Sequence, residues 1–321
     1  MRKFATLIIL SALVFSSTGV PAAEANEGCA SVGSLDLGTI NAGVSICDGA
    51  QVLVSLPDGS SVPVPPAGLE LVQSELLSDG TESSLKVFQS DTNEVGVEYL
   101  GEEFGTMPTS SNLVQSTTTA SVNLSALPLG CSYNPYALLG AKWKSTHNWY
   151  YFSANQPNTG ALTAIRSGLN TWRSGTNVCT GGPYSSTFPS GYLGTTSSVP
   201  SGTGSSCGSS DAKNVIGFRT LNSPALALTC SYMNPSTGSM LESDLTFSTN
   251  ITWFTSSATT GCPVGNYDLQ AVATHEIGHV AGLDHVPSGN GQVMQATMGT
   301  CAISMRNIFW GDITGILTLY P

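Results

Sequence analysis

The chain has 321 residues, of which 40% are hydrophobic and 10% charged, and its formal net charge is −11 at pH 7. That length allows more than one folded unit. The acidic balance, with no basic patch, argues against nucleic acid as a partner, and no segment is long and apolar enough to span a membrane. The chain opens Met1-Arg2-Lys3, followed by an apolar run from Phe4 to about Phe15 and then small residues. Ala23-Glu24-Ala25 fits an A-x-A cleavage site, with cleavage after Ala22 or Ala23 as alternatives. Residues 1–25 are therefore expected to be a secretory signal peptide, and the protein to be extracellular.

Residues 26–130 carry thirteen acidic residues and one basic, Lys86, whereas residues 131–321 carry seven of each. The shift near Leu127–Cys131 predicts a boundary between two units. The first unit is expected to be β-rich, with strands at Gln51–Leu56, Ser61–Val64, Ser84–Gln89 and Val95–Leu100. Pro57-Asp58-Gly59 and Asp79-Gly80 are its turn signals. The polar, Ser/Thr-rich stretch Met107–Thr119 reads as a linker. Eight cysteines (Cys29, Cys47, Cys131, Cys179, Cys207, Cys230, Cys262 and Cys301) in an exported chain predict disulfides. Only Cys29–Cys47, close in sequence and remote from the rest, suggests itself as a pair.

In the second unit Leu162, Ile165, Leu169 and Trp172 share one face of a helix over Thr159–Trp172. Residues 181–210, rich in Gly, Ser, Thr and Pro, are expected to be a long loop. Strands are expected at Asn214–Leu221, Ala225–Tyr232 and Leu245–Phe254, and a last helix at about Trp310–Leu319. Between them Asp268 is a candidate N-cap for an amphipathic helix carrying Leu269, Val272, Ala273, Ile277 and Val280.

That helix contains His275-Glu276-Ile277-Gly278-His279-Val280-Ala281-Gly282-Leu283-Asp284-His285, which holds three of the four histidines of the chain. His275 and His279, one helical turn apart, can reach one ion from the same face. Gly282 can end the helix in a left-handed conformation and swing His285 round to that ion. Three neutral imidazoles suit Zn2+ and leave a fourth position open, the arrangement of catalytic rather than structural sites. Glu276, beside the first ligand, can act as general base towards a water. His147 stands alone and is expected to be non-catalytic. Asp312 is either an N-cap of the last helix or a carboxylate anchoring it. Asp211, Glu242 and Asp244 are candidate Ca2+ ligands, although they lie in no recognisable calcium loop. Asp284 has no evident role.

This motif resembles the long zinc signature of the metzincin metalloproteases. The ending Arg306–Tyr320, with Gly311-Asp312-Ile313-Thr314-Gly315-Ile316, resembles the C-terminal helix of their matrixin branch. Lys142-Trp143-Lys144 leading into Trp149-Tyr150-Tyr151-Phe152, then Asp211–Phe218 and Leu241–Phe247, resemble its strands. The resemblance covers roughly residues 139–321. It implies an α+β fold in which a twisted, mostly parallel five-stranded sheet and long helices frame a zinc cleft, preceded here by the small β-rich region. It also implies a methionine turn beneath the metal, for which Met294 is the first candidate and Met298 the second. Ala225–Tyr232 would be the edge strand that pairs with an extended peptide substrate. Secreted zinc endopeptidase activity follows from the same resemblance, with residues 26–130 as a propeptide and a monomer as the default. A catalytically silent scaffold, or an N-terminal region kept as a binding module, are the alternatives. Several positions depart from the family. Val286 replaces the usual serine, the Pro-x-Tyr after the turn is absent, and no histidines remain for a second zinc. Neither Cys29 nor Cys47 has the P-R-C-G context of the thiolate plug that keeps vertebrate relatives latent, and both are expected in disulfides.

Overall fold

A computed structural model describes residues 25–321 except 27–28, 42, 58, 80–82, 101–128 and 133–134. The signal segment up to residue 24, the Met107–Thr119 linker and the start of the 127–131 boundary lie outside the described residues. The elements that matter for function are strands β1 (Cys29–Asp36), β2 (Ile46–Ser55), β3 (Ser61–Pro63), β4 (Glu70–Leu77), β5 (Ser83–Gln89) and β6 (Val95–Leu100) in the acidic segment. They continue as β7 (His147–Phe152), helix α1 (Ala161–Arg173), β8 (Ser190–Thr196), β9 (Asn214–Arg219), β10 (Ala225–Asn234) and β11 (Ser239–Ser248). Helices α2 (Leu269–Ala281) and α3 (Trp310–Leu319) complete the set. No helix among the described residues is long and apolar enough to cross a membrane.

The fold is a mixed α and β structure built on one large sheet, with strand order β8-β7-β9-β11-β10-β4-β5-β6. The first four strands are parallel: Ile216 of β9 lies opposite Tyr151 of β7 on one side and Leu245 of β11 on the other. β10 turns back antiparallel to β11 and lies between β11 and β4, so in this chain it is not the edge strand expected from sequence, and the sheet has eight strands rather than five because the acidic segment adds three. β4, β5 and β6 then continue the sheet, each antiparallel to its neighbour. Along β7 the buried residues His147, Trp149 and Tyr151 alternate with more exposed ones, the period of two that a sheet with one face on a core imposes.

Three departures from the sequence expectations stand out. β4 was not anticipated: its buried residues include Gln73, Ser74 and Glu75, so it shows no apolar alternation. The strand expected at Leu245–Phe254 begins earlier, at Ser239, and only Trp253–Phe254 returns as a short strand. Finally, the 181–210 stretch contains β8, which borders the sheet beside β7, so it is not one structureless loop.

Two apolar cores flank the sheet. One gathers α1, α2 and α3 with Trp149, Ile216, Phe247, Val72 and Leu76. The other joins Leu35, Val52, Val54 and Val62 of β1–β3 to Leu71, Leu77 and Leu85, and also to Leu221, Leu228 and Tyr232. Each such fully buried aliphatic contributes about 1.5–3 kcal/mol. All eight cysteines pair: Cys29–Cys47, the one suggested by sequence, then Cys131–Cys179, Cys207–Cys230 and Cys262–Cys301. A cysteine plug is therefore absent, since no cysteine is free among the described residues.

Candidate metal centre and active site

α2 starts where Asp268 accepts the Ala271 N–H at 2.8 Å. The same carboxylate pairs with buried Arg306 at 2.6 Å, and Arg306 donates onward to the carbonyls of Ser256, Ser257 and Ala258. The capping charge is thus compensated where water cannot reach it. The amphipathic pattern expected of α2 gives way to burial of every residue except Gln270. The sheet covers one side of this helix and α1 the other. It ends at Gly282, with φ 104°, where a β-carbon would lie 2.3 Å from the Ala141 carbonyl oxygen. Glycine is required there both for its φ and for the close approach.

This geometry gathers His275, His279 and His285, the one group of three or more potential ligand side chains that converges among the described residues. Their Nε2 atoms lie 3.0, 3.1 and 3.2 Å apart. Zinc–nitrogen bonds of about 2.0–2.1 Å in a tetrahedron put the nitrogens about 3.3 Å apart, so the donor set fits this ion. Each Nδ1 faces outward onto an oxygen: His275 onto Val293 O at 2.7 Å, His279 onto Leu283 O at 3.0 Å, and His285 onto Ser84 Oγ at 3.0 Å. The two carbonyls, which only accept, fix His275 and His279 as Nδ1–H tautomers with the Nε2 lone pairs inward, and the Ser84 hydroxyl can accept from His285 in the same way. Burial keeps all three rings neutral, lowering His275 to about 4 and the other two well below the usual histidine range.

Glu276 is fully buried beside them. Its Oε2 accepts the Thr229 hydroxyl at 2.5 Å, while its Oε1 has no hydrogen-bond partner. Burial pushes this carboxyl up to about 8; the Thr229 bond opposes the shift and the charge of Glu75 adds to it. Met294 packs against the same helix at Gly278. A β-carbon on Gly278 would come within 2.2 Å of Met294 Sδ and 2.8 Å of Trp172 Cζ2, so glycine at 278 makes room for both. Met298, the second candidate, is buried in the same core. Asp312 is not the N-cap of α3, which is Phe309; from the third helical position it accepts the Phe309 N–H, and it anchors the helix by accepting the N–H groups of Val293 and Met294. Gln292 completes this attachment: its Oε1 accepts from Gly311 and Asp312, and its Nε2 donates to Gly130 O.

The remaining candidates lie elsewhere. The calcium candidates do not converge. Asp244 accepts the backbone N–H groups of Ser201 and Val215, while Glu242 accepts those of Asp211 and Ala212, so both carboxylates staple the segment before β9. His147 lies on β7, outside that cluster and buried among Trp143 and Phe188, and burial lowers it to about 3. Asp284 accepts the N–H of His285 at 2.8 Å. Sequence reasoning missed Thr229, Gly278, Gln292 and Ser84. Gly278 alone had a local signal, being a glycine inside a helix. A comparison with curated proteins finds no match. The family model of the matrixins does match, over residues 218–321, so the C-terminal part of this chain is matrixin-like, as its zinc signature and its ending implied.

Proposed function

We propose that the protein is a secreted zinc-dependent endopeptidase acting on extended peptide segments of extracellular proteins. The observation that carries this reading is the convergence of three inward Nε2 atoms beside a buried carboxylate, Glu276, with one oxygen uncommitted. Zinc held by His275, His279 and His285 supplies Lewis acidity, lowering the pKa of a water towards about 7 and polarising a carbonyl. Glu276 Oε1 takes the proton of the attacking water and passes it to the departing amine. Thr229 holds the other oxygen, so the carboxylate keeps one orientation through both transfers. Met294, fixed through Asp312, supports the ligand helix from below. The metzincin arrangement supplies the frame, with β10 as the strand that aligns a substrate by backbone hydrogen bonds. In this reading residues 1–25 are a signal peptide, 26–130 a propeptide and 131–321 the catalytic domain. Retention of Glu276 favours an enzyme over a silent scaffold, which has no use for a base.

The test is zinc content and casein cleavage of the mature secreted form, before and after 1,10-phenanthroline. About one zinc per chain is expected, with cleavage lost on chelation and restored by zinc. Glu276→Ala is expected to retain zinc and lose cleavage by about 10²–10⁴-fold. A chain that binds no zinc would end the proposal.

A further inference from the structure

β4 occupies the edge of β10 that the sequence resemblance assigns to an extended substrate. It pairs antiparallel with β10, the strand expected to receive substrate, with Ser74 opposite Thr229 and Leu76 opposite Ala227. Thr229 is the residue that holds Glu276. On its other side β4 meets the segment that follows Met294. Leu77 N–H donates to Ala296 O at 3.4 Å, Met298 N–H donates to Leu77 O at 3.3 Å, and Leu77 runs parallel to Thr297. Over Glu70–Glu75 the other edge of β4 is taken by antiparallel β5; only at its end, Leu77, is the strand flanked by β10 on one side and by the segment after Met294 on the other. Leu76 is fully buried and belongs to the core that contains Met294, whereas Leu77 belongs to the opposite core. Side chains of one strand thus divide between a pocket on the active-site side and the N-terminal unit. Two further contacts hold the strand in place. Gln73 donates to Ser205 O and accepts the Cys207 N–H, while Ser84 of β5 meets His285.

We propose that β4 is a built-in pseudosubstrate. Gln73–Leu77 fills the substrate track with Leu76 in the apolar pocket beside the methionine turn, and the Glu75–Leu76 peptide takes the place of the bond to be cut. Latency then comes from strand pairing and a buried leucine; all cysteines are already in disulfides. The inference rests on the endopeptidase reading for its consequence, but the occupancy itself is a statement about strand pairing.

The full chain, loaded with zinc, tests this with two readouts. One is binding of a fluorescent leucyl-hydroxamate peptide; the other is cleavage of a quenched-fluorescent peptide. The wild-type chain is expected neither to bind nor to cleave. Leu76→Asp, which places a charge in the pocket, and the milder Gln73→Ala, which removes the clamp on residues 205–207, are expected to bind the probe. They should also raise kcat/KM at least tenfold. Adding Glu276→Ala to either should stop cleavage and leave probe binding intact. Probe binding by the wild-type chain as tight as by Gln73→Ala would overturn the proposal, whether or not Leu76→Asp folds. Variants that bind the probe better than wild type and still cleave nothing would uphold occupancy and sink the endopeptidase reading.

Discussion

At the level of single residues, the site depends on one position that the motif itself leaves free. Gly278 lies between Glu276 and His279, and the absence of its side chain lets Met294 and Trp172 approach the ligand helix. Gly278→Ala would force a methyl into contact with Met294 Sδ. Overpacking of this kind costs about 1–3 kcal/mol, despite the better helix propensity of alanine. The expected outcome is a lower urea midpoint and weaker zinc retention, measured by titration with a chelator. Adding Met294→Ala should recover part of the packing loss, because it empties the space the methyl needs. Stability equal to wild type in the single variant would show that Met294 shifts freely. The three histidines and Glu276 are legible from sequence because one helical turn and one glycine fix their spacing. Thr229 and Ser84 are not, because each reaches the site across the sheet, 47 and 201 residues from its partner.

At the level of elements, the missed strand β4 and the missed enclosure of α2 share a physical cause. β4 carries Glu70, Gln73, Ser74 and Glu75 among its eight residues, and α2 has apolar or small residues on most sides. Periodicity reports a boundary between core and water; an element enclosed on both faces has none. The position of α2 is still legible from its caps, Asp268 and Gly282, and α1 and α3, which keep one exposed side, lie within a few residues of their expected bounds. β11 offers a prediction of its own. Burial raises Asp244 to about 7, against the opposing pull of the Val215 and Ser201 N–H groups and with a smaller push from Glu242. A carboxyl raised in the folded state binds its proton more tightly there than in the unfolded chain. Its contribution to stability is therefore complete below about pH 4 and is lost as pH rises to about 7. The loss amounts to roughly 4 kcal/mol at most for a three-unit shift. Asp244→Asn cannot titrate. The stability advantage of wild type over this variant should shrink between pH 4 and 7 and then level off, as read from urea unfolding at several pH values. A difference independent of pH would place the Asp244 proton elsewhere.

For the whole molecule, the change of charge near residue 130 suggested two units, and the structure shows what they share. The second core mixes Leu71, Leu77 and Val54 of the acidic segment with Leu221, Leu228 and Tyr232 of the rest, and one sheet runs through both. Removal of residues 26–100 would bare that apolar face and leave β10 as an unpaired edge, the kind of surface that invites association. A chain expressed without these residues is expected to melt at least several degrees below the full chain in calorimetry, to bind an apolar dye and to self-associate as concentration rises. Peptide Glu-Leu-Val-Gln-Ser-Glu-Leu-Leu, the sequence of β4, should raise its Tm in proportion to the logarithm of peptide concentration once the edge is saturated. The same octamer with aspartate at the position of Leu76 should not. An unchanged Tm on truncation would mean that the two units are energetically independent. A drop that the peptide reverses would show that β10 is stabilised by whichever strand occupies its edge.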